Sequence, residues 1–220
     1  MIETKDLIIK KGEQKDWKDM YYNLWRHAES AKYMLWDVTT SEEDAIKRME
    51  RTVAFEATHP YAWLVYEKAS GQAIGFAGLE ILEEDICEQK AGSETGTGKI
   101  AQEGMTCEER VQEEMTCEER VQEEMTCEGR AREGIVCGET GVAFGPDFVG
   151  KGYGKQVLNA LTDFAKNELG AKKFISCCRT ANVASHKVQM ACGFTFSHYE
   201  DKIDPRNNEP YILECNYKML

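Results

Sequence analysis

The segment that decides the fold is Gly145-Pro-Asp-Phe-Val-Gly-Lys-Gly-Tyr-Gly-Lys155. A short β-prone run, residues 140–144, precedes it, and residues 155–169 follow it with apolar side chains at helical spacing. Glycines allow a tight turn in which successive backbone N–H groups point at one place, and the N-terminus of the following helix adds partial positive charge. The segment therefore suits a pyrophosphate, although similar turns also join strands to helices without any ligand.

Two common phosphate-binding motifs do not fit this segment. It does not match Gly-x-x-x-x-Gly-Lys-Ser/Thr, which disfavours a nucleoside triphosphatase, and it does not match the dinucleotide fingerprint Gly-x-Gly-x-x-Gly. The expectation is therefore a nucleotide-like cofactor of another kind.

The sequence on both sides follows one α/β pattern. Ser41-Glu-Glu-Asp44 resembles a capping box at the start of a helix, and Gly170 is a candidate helix C-cap. The pattern predicts an α/β (α+β) fold, with a mixed central sheet of six to seven strands and about four helices. The strands are predicted at 4–10, 62–67, 73–82, 140–144, 173–178, 194–200 and 211–219, and the helices at 16–34, 41–58, 155–169 and 183–192.

Residues 85–138 interrupt this pattern with a ten-residue repeat. Met105-Thr-Cys-Glu-Glu-Arg-Val-Gln-Glu-Glu114 recurs identically at 115–124 and in degraded form at 125–134. The repeat favours helix, but ten residues fall roughly 80° short of three turns, so no continuous apolar seam forms. We expect an exposed insertion, largely helical or disordered, between the third and fourth predicted strands. Cysteines ten residues apart, with no histidine nearby, predict no metal site.

The remaining residues, 1–84 and 139–220, are predicted to form one domain. The formal net charge of the chain is −12, and residues 85–138 contribute −8 of it, with 14 acidic and 6 basic side chains. This balance disfavours a nucleic-acid partner. The sequence has no apolar run of the roughly 20 residues that span a bilayer and no signal-peptide pattern, so a cytoplasmic protein with free thiols and no membrane partner is expected.

A second segment makes the pattern specific. Asn182-Val-Ala-Ser-His-Lys-Val-Gln-Met-Ala-Cys-Gly-Phe194 reads as a short helix that ends in Gly-Phe. Together with Gly-Lys-Gly-Tyr-Gly some thirty residues earlier, it resembles the GNAT superfamily of N-acetyltransferases. The likeness is greatest to the branch that contains the ribosomal-protein N-terminal acetyltransferases. The resemblance covers essentially the whole chain outside 85–138. It implies a GNAT fold splayed between the fourth and fifth predicted strands, with acetyl-CoA as cosubstrate and no metal.

The resemblance also implies roles for individual residues. Residues 149–154 would hold the pyrophosphate through backbone N–H groups, Ser185 would protonate the leaving thiolate, and Glu139 would act as a base, directly or through water. The family often has Arg or Gln at the position of Val149 and a Tyr acid at the position of Gln189, so this chain departs from the pattern twice. The implied cofactor-binding residues are Ala143, Phe144, Val149, Gly150, Lys151, Gly152, Tyr153, Gly154, Lys155 and Asn182.

The implied activity is transfer of an acetyl group to a primary amine by direct attack. The amine would be a protein N-terminus or a small molecule, and the chain would be a monomer or a homodimer. An alternative is a non-catalytic acyl-CoA-binding protein that uses the acidic repeat as a partner surface. Trp36, in a loop between helices, is a candidate for lining the acceptor site. His186 and His198 are expected at the surface or in strand packing, and Cys177 and Cys178 are expected to act as small buried hydrophobes.

Overall fold

The computed structural model describes residues 1–82 and 134–220, which together form one mixed sheet of eight strands with five helices. The strand order is β1-β2-β3-β4-β5-β6-β8-β7. The mixed α+β fold expected from the sequence is confirmed, with one strand more than predicted because Ile2–Glu3 pairs with the next strand. The strands are β1 Ile2–Glu3, β2 Leu7–Lys10, β3 Ala62–Glu67, β4 Ala73–Leu82, β5 Val136–Phe144, β6 Lys173–Arg179, β7 Thr195–Ile203 and β8 Pro210–Met219.

The helices follow the predicted pattern except near the N-terminus. The predicted helix 16–34 is wrong as one element, because the chain forms a π-helical turn at Tyr21–Trp25 and then becomes extended at His27. The backbone N–H of Thr39 donates to the carbonyl of Trp25, which fixes the loop after this break. The helices are α1 Trp17–Met20, α2 Ala28–Ala31, α3 Glu42–Thr58, α4 Tyr153–Leu169 and α5 Val183–Ala191.

Both predicted helix boundaries that rest on capping are confirmed. The Ser41 side chain accepts a hydrogen bond from the backbone N–H of Asp44 at 3.1 Å, which satisfies one of the free donors at the start of α3. Gly170 ends α4 with φ 69°, the left-handed conformation that glycine adopts without a Cβ penalty.

Two apolar layers cover the two faces of the sheet. One face packs against α4, where Val157, Leu161 and Ala165 are completely buried. The other packs against α1 and α3 through Met20 and Met49. Burial on both faces fixes the register of the central strands, and it holds the ends of β5 and β6 in place.

Strands β5 and β6 are parallel neighbours that pair over only three residues. Their register runs from Val136↔Lys173 to Gly138↔Ile175, and no pair follows it within the described residues. The sequence predicted β5 to begin at Thr140, four residues too late, because the short run 136–138 lies beside the repeat and has no clear alternation of its own. The predicted repeat structure lies outside the described residues, and the division of the chain at 85–138 stays a prediction.

Candidate active site

The two parallel strands separate at Glu139 and Ser176. The Ser176 hydroxyl donates to Glu139 Oε2 at 2.6 Å and so bridges the point of separation. Burial of the Glu139 carboxyl raises its pKa to about 7, against the opposing effect of that hydrogen bond. A carboxyl group with this pKa can accept a proton near neutral pH.

A β-bulge lies next to this carboxyl. On β4, Gly78 and Leu79 are consecutive, but their partners on β5 are Gly141 and Glu139, so Thr140 is an extra residue. A bulge leaves its residue outside the regular ladder and turns its backbone groups away from the neighbouring strand. Gly141 has φ 146°, a region that L side chains rarely adopt. The bulge at Thr140 therefore lies directly beside Glu139.

The separation of the strands opens a cleft of about 420 Å³, the β5–β6 cleft. The candidate catalytic residues Glu139 and Ser185 both line it, together with Asn182. Trp36, the residue of the interhelical loop that is a candidate for lining the acceptor site, also lines this cleft. The structure therefore brings Glu139 on β5 together with Asn182 and Ser185 at the start of α5, which lie 43 and 46 positions later in the chain.

Helix α5 is held by its cap and by a buried polar network. The Asn182 side chain accepts from the Ser185 backbone N–H at 3.2 Å, so part of its polar group caps the helix. Gln189, at the position of the family's Tyr, is buried. It donates weakly to Ser185 Oγ at 3.4 Å and accepts from Asn216 Nδ2 at 2.7 Å. Gln189 therefore orients Ser185 but carries no dissociable proton.

The glycine-rich segment forms a turn that leads into α4. Gly150 and Gly152 have φ 78° and 79°, and Gly152 is the N-cap of the helix. The first backbone N–H groups of a helix have no partner within it, so those of residues 153–155 can donate toward the turn, whereas Gln156 already donates to the carbonyl of Gly152. Val149 is 63% exposed, and Lys155 is also exposed. This geometry suits an anion bound by the main chain.

Two side chains of this segment point elsewhere. The Tyr153 hydroxyl donates to Glu67 Oε1 at 2.7 Å, and Tyr153 is buried. Lys151 Nζ lies 3.4 Å from the same oxygen and 4.8 Å from the ring centre of Phe148. The hydrogen bond from Tyr153 lowers the pKa of Glu67, although burial of the Glu67 carboxyl acts in the opposite direction. Glu67 thus anchors the turn from inside the fold, a role that the sequence analysis missed because Glu67 precedes the turn by more than 80 residues.

The last two cofactor candidates lie on β5 beyond the separation. Ala143 is buried and pairs with Phe76 on β4, and the ring of Phe144 lies 6.2 Å from that of Tyr153. Since β5 has no pair with β6 after Gly138 among the described residues, this edge of β5 faces the cleft. It can accept an extended ligand as a further strand.

The remaining sequence candidates behave as small or packing groups. Burial raises the pKa of Cys178 to about 11. A hydrogen bond with Cys215, together with burial, raises the pKa of Cys177 well above its usual range. Neither thiol is therefore ionised at neutral pH. His186 Nδ1 lies 2.7 Å from Glu214 Oε1 on β8, and His198 lies at the surface near Glu200.

The sequence matches a known family over most of its length. The family model described as an acetyltransferase (GNAT) domain matches residues 6–101 and 118–195. The chain belongs to this family, whose members are acyltransferases that use acetyl-CoA as cosubstrate. The curated N-acetyltransferase YnaD of Bacillus subtilis (strain 168), itself described as uncharacterized, is 27% identical over 71 residues. That alignment covers 32% of this chain and 42% of the length of YnaD.

Two solved structures have the same fold at low sequence identity. The microcin C7 self-immunity acetyltransferase MccE, solved with acetyl-CoA and AMP, has a TM-score of 0.64 and 14% identity. The match covers 99% of this chain and 94% of that one. The second is an acetyl transferase from Salmonella typhimurium that modifies the N-terminal serine of the ribosomal protein L7/L12. It has a TM-score of 0.61 and 13% identity. The match covers 99% of this chain and 96% of the Salmonella chain.

No helix in residues 1–82 or 134–220 is both long enough and apolar enough to cross a membrane.

Proposed function

We propose that this protein transfers the acetyl group of acetyl-CoA to a primary amine in the β5–β6 cleft. The observation that carries the proposal is the juxtaposition at the strand separation. Glu139, with a pKa of about 7, lies beside the bulge at Thr140 and lines one cleft with Ser185. A base, free backbone N–H groups and a candidate proton donor are the groups that direct acyl transfer to an amine requires.

Different parts of the structure bind the pyrophosphate and the pantetheine arm of acetyl-CoA. The turn at 149–154 and the N-terminus of α4 bind the pyrophosphate through backbone donors, each contributing about 1.5–3 kcal/mol. The open edge of β5 holds the pantetheine arm, and the Asn182 amide lies beside it. Because main-chain donors carry this binding, the presence of Val149 instead of a polar residue weakens it without abolishing it.

In the chemical step, the Glu139 carboxylate takes the proton of the attacking amine, directly or through one water. A backbone N–H in the bulged part of β5 stabilises the oxyanion. As the carbon–sulfur bond breaks, the Ser185 hydroxyl gives a proton to the leaving thiolate and regains one from solvent. Ser176 keeps its hydrogen bond to Glu139 and so holds the carboxyl at the strand separation. Gln189 keeps Ser185 oriented.

The favoured acceptor is an α-amine. With a pKa near 8, an α-amine is about 10% neutral at pH 7, whereas a lysine amine near 10.4 is about 0.04% neutral. A single carboxylate base with a pKa of about 7 removes a proton from the first far more readily than from the second. The structural likeness to the Salmonella enzyme that modifies an N-terminal serine agrees with this choice.

Calorimetric titration of the reduced protein with acetyl-CoA tests the cofactor half of the proposal. We expect one site per chain with micromolar affinity. Thiol-release dyes are unsuitable as a primary assay because the chain has nine cysteines. No detectable binding heat, together with unchanged thermal stability in acetyl-CoA, would contradict the proposal.

The second candidate function is an acyl-CoA-binding protein without catalysis. It predicts the same result in the acetyl-CoA titration. A protein without catalysis, however, has no reaction rate that Glu139→Gln or Ser185→Ala could lower. Detection of acetylated amine by mass spectrometry therefore separates the two functions. The Glu139 carboxyl, which accepts a hydrogen bond from Ser176 at the strand separation, favours the enzymatic function. A protein that only binds acyl-CoA needs no base at this place.

A further inference from the structure

Arg48 occupies an unusual place on α3. Its guanidinium contacts two indole rings, 4.7 Å from the ring centre of Trp25 and 4.6 Å from that of Trp36. Its Nη1 donates to the Thr39 hydroxyl at 2.9 Å and to the backbone carbonyl of Asp37 at 3.2 Å. Two rings and two hydrogen bonds hold the plane of the guanidinium in one orientation.

This cation has no carboxylate partner within residues 1–82 and 134–220. No ion pair involves Arg48 there, although Asp37 and Asp44 line the neighbouring hollow. Glu56, close by on the same helix, accepts from the backbone N–H of Gly12 at 2.6 Å and is thereby engaged. Burial, followed by the nearby charge of Arg51, lowers the pKa of Arg48 to about 10, against the opposing effect of the Asp37 carboxylate, which forms no ion pair with it. A partly desolvated cation of this kind gains from an anion.

The space beside Arg48 adjoins the β5–β6 cleft. Arg48 borders a mainly apolar hollow of about 260 Å³ behind the bulge. Trp36, Phe76 and Thr140 line both this hollow and the cleft that contains Glu139. Both hydrogen bonds of Arg48 use Nη1, so its Nε and Nη2 donors have no partner among the described residues.

We infer that Arg48 binds a carboxylate carried by the amine acceptor. The acceptor class is then an amine with a carboxylate nearby, either an amino acid or a peptide with an acidic residue close to its N-terminus. The planar guanidinium fits a carboxylate with two parallel hydrogen bonds, and the two neighbouring indoles restrict its movement. This inference rests on the proposed acetyl transfer, because it names the substrate of the same site.

The test compares acceptors that differ only in their carboxylate. Amino acids are assayed against their amides, and peptides with Glu at the second position against the same peptides with Gln. Each pair is assayed with wild type, with Arg48→Gln and with Arg48→Lys. Arg51→Gln is the matched control, since Arg51 is an exposed arginine on the same helix that lines the adjoining hollow.

We expect wild type to prefer the carboxylate-bearing member of one kind of pair by about tenfold to a hundredfold in kcat/KM. Arg48→Gln should remove that preference while the rate with the amide changes little. Arg48→Lys should restore part of it, and Arg51→Gln should keep all of it. Whether the amino acids or the peptides show the preference identifies the source of the carboxylate.

Two results would overturn the inference, and they are distinguishable. If Arg48→Gln lowers the rates of both members of a pair equally, Arg48 has only a structural role and the proposed acetyl transfer still stands. If no acceptor of either kind is acetylated although acetyl-CoA binds, the proposed function fails, and the inference that rests on it fails too.

Discussion

The proposed catalysis and the stability of the fold favour opposite protonation states of the Glu139 side chain. Its carboxyl is buried at the separation of β5 and β6, where burial raises its pKa from 4.5 to about 7. As a base it must be ionised, but as a buried group it is more stable when neutral. Two measurable consequences follow at the scale of this one residue.

The first consequence is a pH-dependent rate. With a base of pKa about 7, kcat/KM calculated for the neutral form of the acceptor amine should rise about tenfold per pH unit below pH 7 and level off above it. Glu139→Gln should lower kcat/KM by about 10²-fold or more and remove this limb of the profile. The control is Glu80→Gln, because Glu80 is an exposed carboxylate on the neighbouring strand. A Glu139→Gln enzyme with the wild-type profile would exclude Glu139 as the base.

The second consequence is a pH-dependent stability. Between pH 4.5 and 7 the folded state holds a proton on Glu139 that the unfolded state has lost, so stability falls as the pH rises through this window. Glu139→Gln keeps an acceptor for Ser176 without the charge. It should therefore raise the free energy of unfolding by up to about 3 kcal/mol at pH 8 and by almost nothing near pH 4. Urea unfolding at both pH values measures the difference, and equal effects at both would argue against a buried carboxylate.

Among the elements, α4 and the turn before it form the proposed cofactor half of the site. Gly152 and Gly170 stand at the two ends of α4 with φ 79° and 69°, and an added Cβ at either meets no atom within 4 Å. Alanine at either position therefore costs about 1–2 kcal/mol of backbone strain and little else. The two positions are matched in strain but differ in their distance from the proposed pyrophosphate.

Gly152→Ala and Gly170→Ala should accordingly have similar melting temperatures. Only Gly152→Ala should weaken acetyl-CoA binding, by about tenfold or more, because its methyl group would stand in the open space at the turn where the pyrophosphate would bind. Calorimetric titration of both variants is the measurement. Equal affinities for acetyl-CoA would mean that the pyrophosphate does not bind at this turn.

Much of this element could be predicted from the sequence. The glycine-rich segment, the apolar spacing of 155–169 and the C-cap at Gly170 are local signals, and α4 follows them closely. The break at Tyr21–Trp25 could not be predicted in this way, because packing against the sheet overrides a strong helical pattern there. Ser176 and Glu67 were missed for a related reason. Each acts on a partner from a distant strand or helix, and only the register of the sheet brings them together.

At the scale of the whole molecule, the repeat interrupts a hairpin. Leu82 and Val136 are the last register pair of β4 and β5, so the described fold needs only a short turn between them. We predict that replacing residues 83–134 with a short Asn-Gly turn leaves the melting temperature and the affinity for acetyl-CoA close to wild type. Loss of either property would assign the repeat a role in the domain, and it would favour the interaction protein as the second candidate function.

The central claim, acetyl transfer to an amine, is tested most directly by identifying the product. Wild-type protein is incubated at pH 8 with acetyl-CoA and a panel of amino acids and N-terminal peptides, and the mixture is analysed by mass spectrometry over time. We expect an acetylated α-amine and free CoA in equal amounts, both formed at least about 10²-fold more slowly with Glu139→Gln. Binding of acetyl-CoA with no acetylated amine at any time would contradict it.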